Sequence, residues 1–339
     1  MGAASVLRLF DHPFLAIETS CDETSAAVVH GRKVLSNVVA SQIEMHRKWG
    51  GVVPEAASRA HVEAIIPVVA QALSNAGITK GDIRAIAVTN RPGLVGALSV
   101  GVTAAKALSF GLNVPLLGIH HLEGHLLSTM VLDAPPPFPH TCLIVSGGHT
   151  ELIDVQAAGQ YRIVGETRDD AAGEAFDKGA RLLGLGYPGG VAIQNLALSG
   201  DPNRYSLPKG LSGDTVDFSF CGLKTAVLRL TEREGSGLNV ADAAASLQEA
   251  IVAVLVERAM RAMDRLNSSV LTLVGGVAAN VELRIRLQRA CERNGYEFFT
   301  PPIFMCTDNA GMIGLAASYR LALGQSSNFD LDVFPNADL

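Results

Sequence analysis

Apolar and polar residues follow one another along the chain in a pattern that predicts a mixed α/β protein. Residues 14–29, FLAIETSCDETSAAVV, consist of an apolar strand, a short polar turn and a second strand, and so predict a β-hairpin. Residues 142–155, CLIVSGGHTELIDV, repeat the order of strand, turn and strand in the middle of the chain. This recurrence predicts two related lobes.

Helices are predicted where apolar residues recur every three or four positions, and a few strands stand between them. The strand VLTLVGG leads directly into a helix, an order in which proteins often bind nucleotides. The proline-rich segment DAPPPFPH, residues 133–140, separates the two lobes, because proline continues neither a helix nor a central strand. The predicted helices span residues 55–76, 98–112, 173–185, 240–266, 281–292 and 310–323, and a further strand spans residues 83–89.

Length and charge limit the classes of function. A chain of 339 residues exceeds what one hydrophobic core usually serves, which favours two lobes. With 27 basic and 33 acidic residues the formal net charge is -6, which argues against tight unassisted binding to a polyanion. A nucleic acid would therefore have to meet a local basic patch or a partner protein.

Cysteine usage and the N-terminus predict a cytoplasmic protein. The five cysteines are scattered without a CxxC pair, and an odd number of them indicates reduced thiols. The first residues have too short an apolar stretch for a signal peptide. No apolar run approaches the length of a membrane span, so no membrane association is expected.

The sequence HHLEGH places His121 and His125 four positions apart, on the same face of a helix. Two imidazoles in this arrangement can chelate a divalent metal, although surface histidines one turn apart are also common without one. A carboxylate is the usual third ligand of a two-histidine catalytic site that leaves a position open for substrate. Asp308, in a polar turn before a helix, can supply it.

Three glycine- or hydroxyl-rich turns follow apolar strands, at residues 19–24, 146–150 and 275–280. Backbone N–H groups in such turns bind phosphates, although most glycine pairs only turn the chain. Acidic residues accompany them. Asp177 is either part of an acidic helix N-terminus or a hydrogen-bond acceptor for a ligand, and Asp22 and Glu23 either form the turn or orient water or a metal near phosphates.

The best candidate for RNA contact is a local basic cluster that surrounds the single tryptophan of the chain. A solvated helix face explains the same charges. The cluster consists of His46, Arg47, Lys48 and Arg59.

Taken together, the motifs closely resemble the universal tRNA threonylcarbamoyl-transferase family, the bacterial TsaD type once called glycoprotease. The resemblance runs from Leu15 to Leu323 and includes IETSCDETSAAVV, SQIEMHRKWGGVVPEAASRAH, RPGLVGALSVG, HHLEGH, VSGGHTEL, DDAAGEAFDKGARLLGLGYPGG, FSFCGLKTAV, GGVAANVELR and CTDNAGMIG. It implies the actin-like, sugar-kinase and Hsp70-like fold, with duplicated β-sheet lobes and a ligand cleft between them. The expected lobes are residues 12–138, rejoined by helix 310–323, and residues 139–309, followed by a loose tail at 326–339.

The resemblance also implies the reaction. The expected donor is threonylcarbamoyl-adenylate, the acceptor is the exocyclic amine of adenosine 37 in tRNA, and AMP is released. The expected partners are a paralogous scaffold of the TsaB type and a small ATPase of the TsaE type. The family's iron or zinc ligands fall on His121, His125 and Asp308, and its substrate contacts fall on Ile144, Val145, Ser146, Gly147, Gly148, Asp177, Gly190 and Asn280.

Two positions depart from the family pattern. Gln194 stands where many relatives have aspartate, which exchanges an anionic ligand contact for an amide. Arg91 stands where the family usually has glycine ahead of Pro-Gly, and it either changes the loop or adds a cation near RNA.

Three other functions are compatible with parts of the sequence. A sugar or acetate kinase has the same lobes but needs no two-histidine metal site. A zinc protease needs glutamate directly after the first histidine, where this chain has Leu122. A catalytically silent scaffold would not need to retain both histidines and Asp308.

Overall fold

A computed structural model describes residues 9–339 and divides them into two compact units. Unit 1 comprises the described residues up to Pro135 together with Asp308–Leu339, and unit 2 comprises Pro136–Thr307. The first division falls within the proline-rich segment 133–140, where the chain forms no helix or strand before His140. The second falls directly before Asp308.

Unit 1 is built on a five-stranded mixed sheet in the order β3-β2-β1-β4-β5. Strands β1, β2 and β3 form an antiparallel meander, and β4 and β5 add in parallel on the other side of β1. The strands are β1 Phe14–Glu18, β2 Glu23–His30, β3 Lys33–Ser41, β4 Ile86–Arg91 and β5 Leu116–His120. The helices are α1 Ile43–Arg47, α2 Pro54–Asn75, α3 Val95–Leu112, α4 His121–Leu127 and α10 Ala310–Ala322.

Unit 2 repeats this topology with the order β10-β9-β6-β7-β8. The meander is β6-β7-β8, and β9 and β10 add in parallel beside β6. The strands are β6 His140–Val145, β7 Thr150–Ala157, β8 Gln160–Glu166, β9 Val270–Val274 and β10 Glu297–Phe299. The helices are α5 Ala172–Leu182, α6 Gly189–Ala197, α7 Cys221–Glu234, α8 Val240–Leu266 and α9 Val281–Asn294.

The central strand of each sheet is buried along its whole length, which explains why both read as unbroken apolar runs. In unit 1, α10 packs on β1 and β2, while α2 packs on β2 and β3 and α3 on β4. Helix α3, Val95–Leu112, is the one helix among residues 9–339 that is long and apolar enough to cross a membrane. It packs against β4 and α2, and Val102 and Ala105 are its buried contribution to the core of unit 1.

The two hairpins at residues 14–29 and 142–155 form as the sequence predicts, and helix 240–266 has the predicted limits. Seven of the strands and helices named above were not predicted from the sequence: β3, β5, β8, β10, α1, α6 and α7. Strands β3 and β8 lie at sheet edges with mixed exposure, so they lack a continuous apolar run. Helix α6 begins with two glycines, residues that disfavour a helix interior.

The expectation of a loose tail at residues 326–339 is wrong. Ser327 N–H donates to the carbonyl of Leu116 at 2.7 Å, and Phe334 N–H donates to the carbonyl of Asn90 at 2.9 Å. Leu331 and Val333 pack against the core of unit 1. The open edge of β5 and the end of β4 supply backbone partners that a sequence pattern does not reveal.

Candidate metal centre and nucleotide-binding turns

Helix α4 presents two imidazoles to one carboxylate. Nε2 of His125 lies 3.1 Å from Oδ1 of Asp308, and Nε2 of His121 lies 3.5 Å from the same oxygen. Among the described residues, these three form a cluster whose ligand atoms all lie within 4.8 Å of one another. The structure thus brings together the three residues that the sequence analysis assigned to a metal.

Helices α4 and α10 hold the three residues in place. Gly124 faces α10 so closely that a Cβ there would lie 2.7 Å from Cδ1 of Ile313, which explains the glycine in HHLEGH. The buried Glu123 accepts a hydrogen bond from Nε of Arg320 at 2.7 Å. Asn309 caps α10 by accepting from Met312 N–H at 3.0 Å, which fixes the turn that carries Asp308. Because Glu123 is committed to Arg320, it is not placed as the general base of a zinc protease.

The donor set fits iron(II) or zinc. Two imidazole nitrogens and one carboxylate oxygen are ligands that both ions accept, and three protein ligands leave a coordination position for substrate.

The second ring nitrogens of the two histidines have different surroundings. Nδ1 of His125 is buried and has no hydrogen-bond partner among residues 9–339, whereas Nδ1 of His121 contacts Glu18 Oε2 and Ser20 Oγ, each at 3.1 Å.

Electrostatics in the cluster follow from burial and from the carboxylates. Burial opposes charge on His121, but the charges of Asp308 and Glu18 outweigh it and raise the pKa of His121 well above its ordinary value. Burial dominates at His125 and lowers its pKa. Although burial opposes it, the charge of His121 and hydrogen bonds from both imidazoles hold the pKa of Asp308 well below its usual range. Without a metal, the cluster therefore retains a proton on His121.

Asp22 and Glu23 lie in the turn between β1 and β2. Burial, followed by the nearby charges of Asp22 and Asp308, raises the pKa of Glu23 to about 10. The turn is held by the buried His61, whose Nδ1 lies 2.7 Å from Thr24 Oγ1 and whose Nε2 donates to the carbonyl of Cys21 at 2.9 Å. Carboxylates gathered in this way favour a nearby cation.

The sequence analysis missed Glu18, the last residue of β1. It is fully buried, and one of its oxygens accepts from Thr89 Oγ1 at 2.6 Å and lies against His121. A signal was present, since Glu18 is the single charged residue in the strand FLAIE. Its partners, however, lie about 70 and 100 positions away in the chain.

In unit 2, the turn after β6 exposes its backbone. The side chains of Ile144 and Val145 are buried in the core, so only their backbone is available to a ligand. Ser146 closes the turn, since its N–H donates to the carbonyl of His149 at 2.8 Å. Gly147 and Gly148 are exposed, and a Cβ on either would meet no atom within 4 Å.

In the same unit, Asp177 lies in the middle of α5, whereas Gly190 and Asn280 lie at the starts of α6 and α9. Asp177 Oδ1 accepts from Gly189 N–H at 2.7 Å, and burial raises the pKa of Asp177. Asn280 caps α9, because its Oδ1 accepts from Leu283 N–H at 2.9 Å while its amide donates to Gln248. Gly190 has free space beside its Cα, because a Cβ added there would meet no atom within 4 Å.

The two residues that depart from the family pattern, Gln194 and Arg91, each form a hydrogen bond within their own unit. Gln194 Oε1 accepts a hydrogen bond from Val281 N–H at 2.8 Å and so satisfies the first backbone N–H group of α9. Nη1 of Arg91 donates to Asn90 Oδ1 at 2.9 Å at the end of β4.

One residue of the predicted basic cluster, His46, does not lie on the surface. His46 is fully buried, with Nε2 donating to Gln42 Oε1 at 3.1 Å and Nδ1 accepting from Val53 N–H at 3.2 Å. The expectation that His46 contacts RNA is therefore corrected, because its imidazole joins α1 to the following loop. Arg47, Lys48 and Arg59 are exposed, and Arg47 forms an ion pair with Glu44 at 2.9 Å.

Solved structures define the class of fold. HypF from T. kodakarensis aligns with 95% of this chain and 50% of its own at a TM-score of 0.60 and 12% sequence identity. The activator of the 2-hydroxyisocaproyl-CoA dehydratase from Clostridium difficile, solved with bound ADPNP, aligns with 92% of this chain and 96% of its own at a TM-score of 0.52 and 13% identity. These proteins have the actin-like ATPase fold, which confirms the predicted α/β class with its duplicated sheets.

Sequence relatives define the family. The family model for tRNA N6-adenosine threonylcarbamoyltransferase matches residues 33–315. Relatives with that name are 55% identical in Anaeromyxobacter dehalogenans, covering 95% of this chain and 98% of the relative, and 52% identical in Symbiobacterium thermophilum, covering 96% of each. The chain belongs to this family, and it is a transferase that modifies tRNA.

Metal binding is expected to release protons. Because the pKa of His121 is raised well above its ordinary value, His121 is protonated at neutral pH in the metal-free protein, and an ion at Nε2 must displace that proton. Metal affinity should therefore rise as pH rises, with about one proton or more released per ion near pH 7. Calorimetric titration with Zn²⁺ in two buffers of different ionisation enthalpy measures this number. Binding without proton release at that pH would contradict the assignment.

Proposed function

We propose that the chain transfers the threonylcarbamoyl group from threonylcarbamoyl-AMP to the exocyclic amine of adenosine 37, in tRNAs that read codons starting with A, and releases AMP. The observation that carries this proposal is the cluster of His121, His125 and Asp308 in a chain of the threonylcarbamoyltransferase family. A kinase of the same fold has no need of such a cluster.

The three residues would hold one iron(II) or zinc ion. When bound, such an ion supplies a Lewis acid that polarises a carbonyl oxygen. The buried helix α4 fixes both imidazoles before the substrate arrives, so little reorganisation is needed during the reaction. Asp22, in the turn after β1, and Glu23, the first residue of β2, lie close to Asp308 and are proposed to orient water or the ion in the same centre.

Unit 2 would bind the AMP portion of the donor. The turn at Ser146–Gly148 exposes backbone with no side chain in the way, which suits a phosphate. Asp177 and Asn280 already bind backbone N–H groups, so we propose that they shape the adenylate site by fixing the starts of α6 and α9, beside Gly190. Binding AMP in one orientation lowers the entropic part of the barrier to transfer.

Binding of tRNA needs help because the chain carries a net charge of -6. We propose that Arg47, Lys48 and Arg59 form a basic patch for the RNA backbone, since all three side chains are exposed and the exposed Trp49 directly follows Lys48 in the chain. Partners of the TsaB and TsaE types are proposed to complete the RNA-binding surface. A cytoplasmic location is proposed because the tRNA substrate is found there.

The proposed transfer is tested by nucleoside analysis. The protein is incubated with threonylcarbamoyl-AMP, candidate partners and a tRNA transcript, which is then digested and examined by mass spectrometry. Threonylcarbamoyladenosine should form with the wild-type protein, but not with His125→Ala or with a transcript that has guanosine at position 37. Formation of the same amount by His125→Ala would contradict the role of the metal cluster.

A second prediction concerns the turn after β6. Gly147→Val should weaken AMP binding at least tenfold, because a side chain on this turn enters the space proposed for the phosphate while meeting no atom of the protein. Calorimetry measures the affinity for AMP. Gly237→Val, also at an open glycine of unit 2, is the matched control and should bind AMP as the wild type does. Equal affinities in the two variants would exclude this turn from the nucleotide site.

A third prediction concerns the basic patch. Reversing two charges, Arg47→Glu with Lys48→Glu, should weaken tRNA binding and reduce its salt dependence by about two counterion units. Filter binding over a range of salt concentrations, with partners present, measures both. Arg289→Glu with Arg293→Glu makes the same change in net charge on exposed residues of α9 and should leave the slope near the wild-type value. Identical slopes for both double variants would mean that RNA docks elsewhere.

A further inference from the structure

The two imidazoles of the metal cluster differ in what holds their second nitrogen. Nδ1 of His121 lies 3.1 Å from Oε2 of Glu18, while Nδ1 of His125 has no hydrogen-bond partner among the described residues. Both rings are buried, and both Nε2 atoms face Asp308. The ring of His121 is therefore fixed at both nitrogens, whereas the ring of His125 is fixed at one.

Glu18 occupies a costly position. It is fully buried at the end of a strand whose other four residues are apolar. Placing a carboxylate there costs free energy unless its oxygens are paired. Oε1 accepts from the backbone N–H of Ser20, and Oε2 accepts from Oγ1 of Thr89 at 2.6 Å, so both oxygens have partners in unit 1 besides the imidazole.

We propose that Glu18 is a positioning residue of the metal centre, which holds the ring of His121 through Nδ1 so that Nε2 is presented to the ion. This inference rests on the proposed metal site at His121, His125 and Asp308. Glu18 itself stays outside the group of ligand atoms that converge within 4.8 Å.

The physical reason is the pairing of a carboxylate with a ligand imidazole. A hydrogen bond from Nδ1–H to Oε2 selects the tautomer in which Nε2 carries the free lone pair. The negative charge also makes the imidazole more basic, which strengthens its bond to a metal. Thr89 on β4 and the backbone of Ser20 fix the carboxylate, so the ends of two neighbouring parallel strands determine the orientation of a ring on α4.

Ser20 is the competing partner, because its Oγ also lies 3.1 Å from Nδ1 of His121. A hydroxyl can accept the same hydrogen bond, but it carries no charge and cannot raise the basicity of the ring to the same extent. Replacing each group separately distinguishes the two. Glu18→Gln keeps the shape of the side chain and removes its charge, and Ser20→Ala removes the hydroxyl.

The test measures metal affinity and ligand geometry independently of transfer. Zn²⁺ affinity is obtained by competition with a chromogenic chelator, and the absorption spectrum of the Co²⁺-loaded protein reports coordination geometry. Glu18→Gln should lose roughly 10- to 100-fold in affinity and change the Co²⁺ spectrum. Ser20→Ala should lose less than about threefold, because the carboxylate remains.

Folding is checked by thermal unfolding of the metal-free proteins, in which Glu18→Gln should still unfold cooperatively but be less stable than the wild type, because the protonated His121 loses one of its two carboxylate partners. Should Glu18→Gln not fold, Thr89→Val serves instead. It frees Oε2 while leaving Glu18 in place, and it should weaken Zn²⁺ binding severalfold.

The outcomes separate the inference from the proposed metal site. A wild-type protein that binds Zn²⁺ together with a Glu18→Gln variant of equal affinity and unchanged Co²⁺ spectrum would overturn the role of Glu18 alone. A larger loss in Ser20→Ala than in Glu18→Gln would also overturn it. A wild-type protein that binds neither ion would overturn the metal site, and this inference with it.

Discussion

The functional arrangement of unit 1 depends on one carboxylate oxygen that two imidazoles share. Oδ1 of Asp308 lies within 3.5 Å of Nε2 of both His121 and His125, in a place where all three side chains are largely withdrawn from water. An anion there is stable only beside a cation. A proton on His121 meets that need in the metal-free protein, and a divalent ion would meet it in the loaded one.

That constraint accounts for features of the surrounding chain. Helix α4 must approach the start of α10 closely, and Gly124 permits this because no side chain separates it from Ile313. The ion pair of Glu123 with Arg320 ties the same two helices together further along. Glu18, the last residue of β1, lies against the second nitrogen of the His121 ring, with Oε2 3.1 Å from Nδ1. Residues from three segments far apart in the sequence thus surround the carboxylate of Asp308.

The sequence predicted the fold and part of the site for physical reasons. The spacing of His121 and His125 places both on one helical face, and the apolar runs of β1, β6 and β9 reflect strands buried on both faces. Asp308 was a candidate third ligand because it lies in a polar turn before a helix, and the family resemblance assigned it to the metal. The duplicated hairpins anticipated two sheets with the same strand order.

The features that the sequence did not predict depend on particular hydrogen bonds, some of them between residues close together in the chain. Burial of His46 follows from its contacts with Gln42 and Val53, so a histidine beside two cations was mistaken for a surface residue. The residues after Gln325 show no periodicity, yet they pack because the ends of β4 and β5 offer backbone partners. None of these contacts leaves a trace in hydrophobic patterning.

X-ray absorption at the metal edge of the Zn²⁺-loaded protein would identify the ligands of the proposed metal centre. We expect an inner shell of nitrogen and oxygen at about 2.0–2.1 Å, with the outer-shell scattering of two imidazole rings. A shell containing sulfur at about 2.3 Å, as Cys21 in the neighbouring turn would give, or one without imidazole scattering, would contradict it.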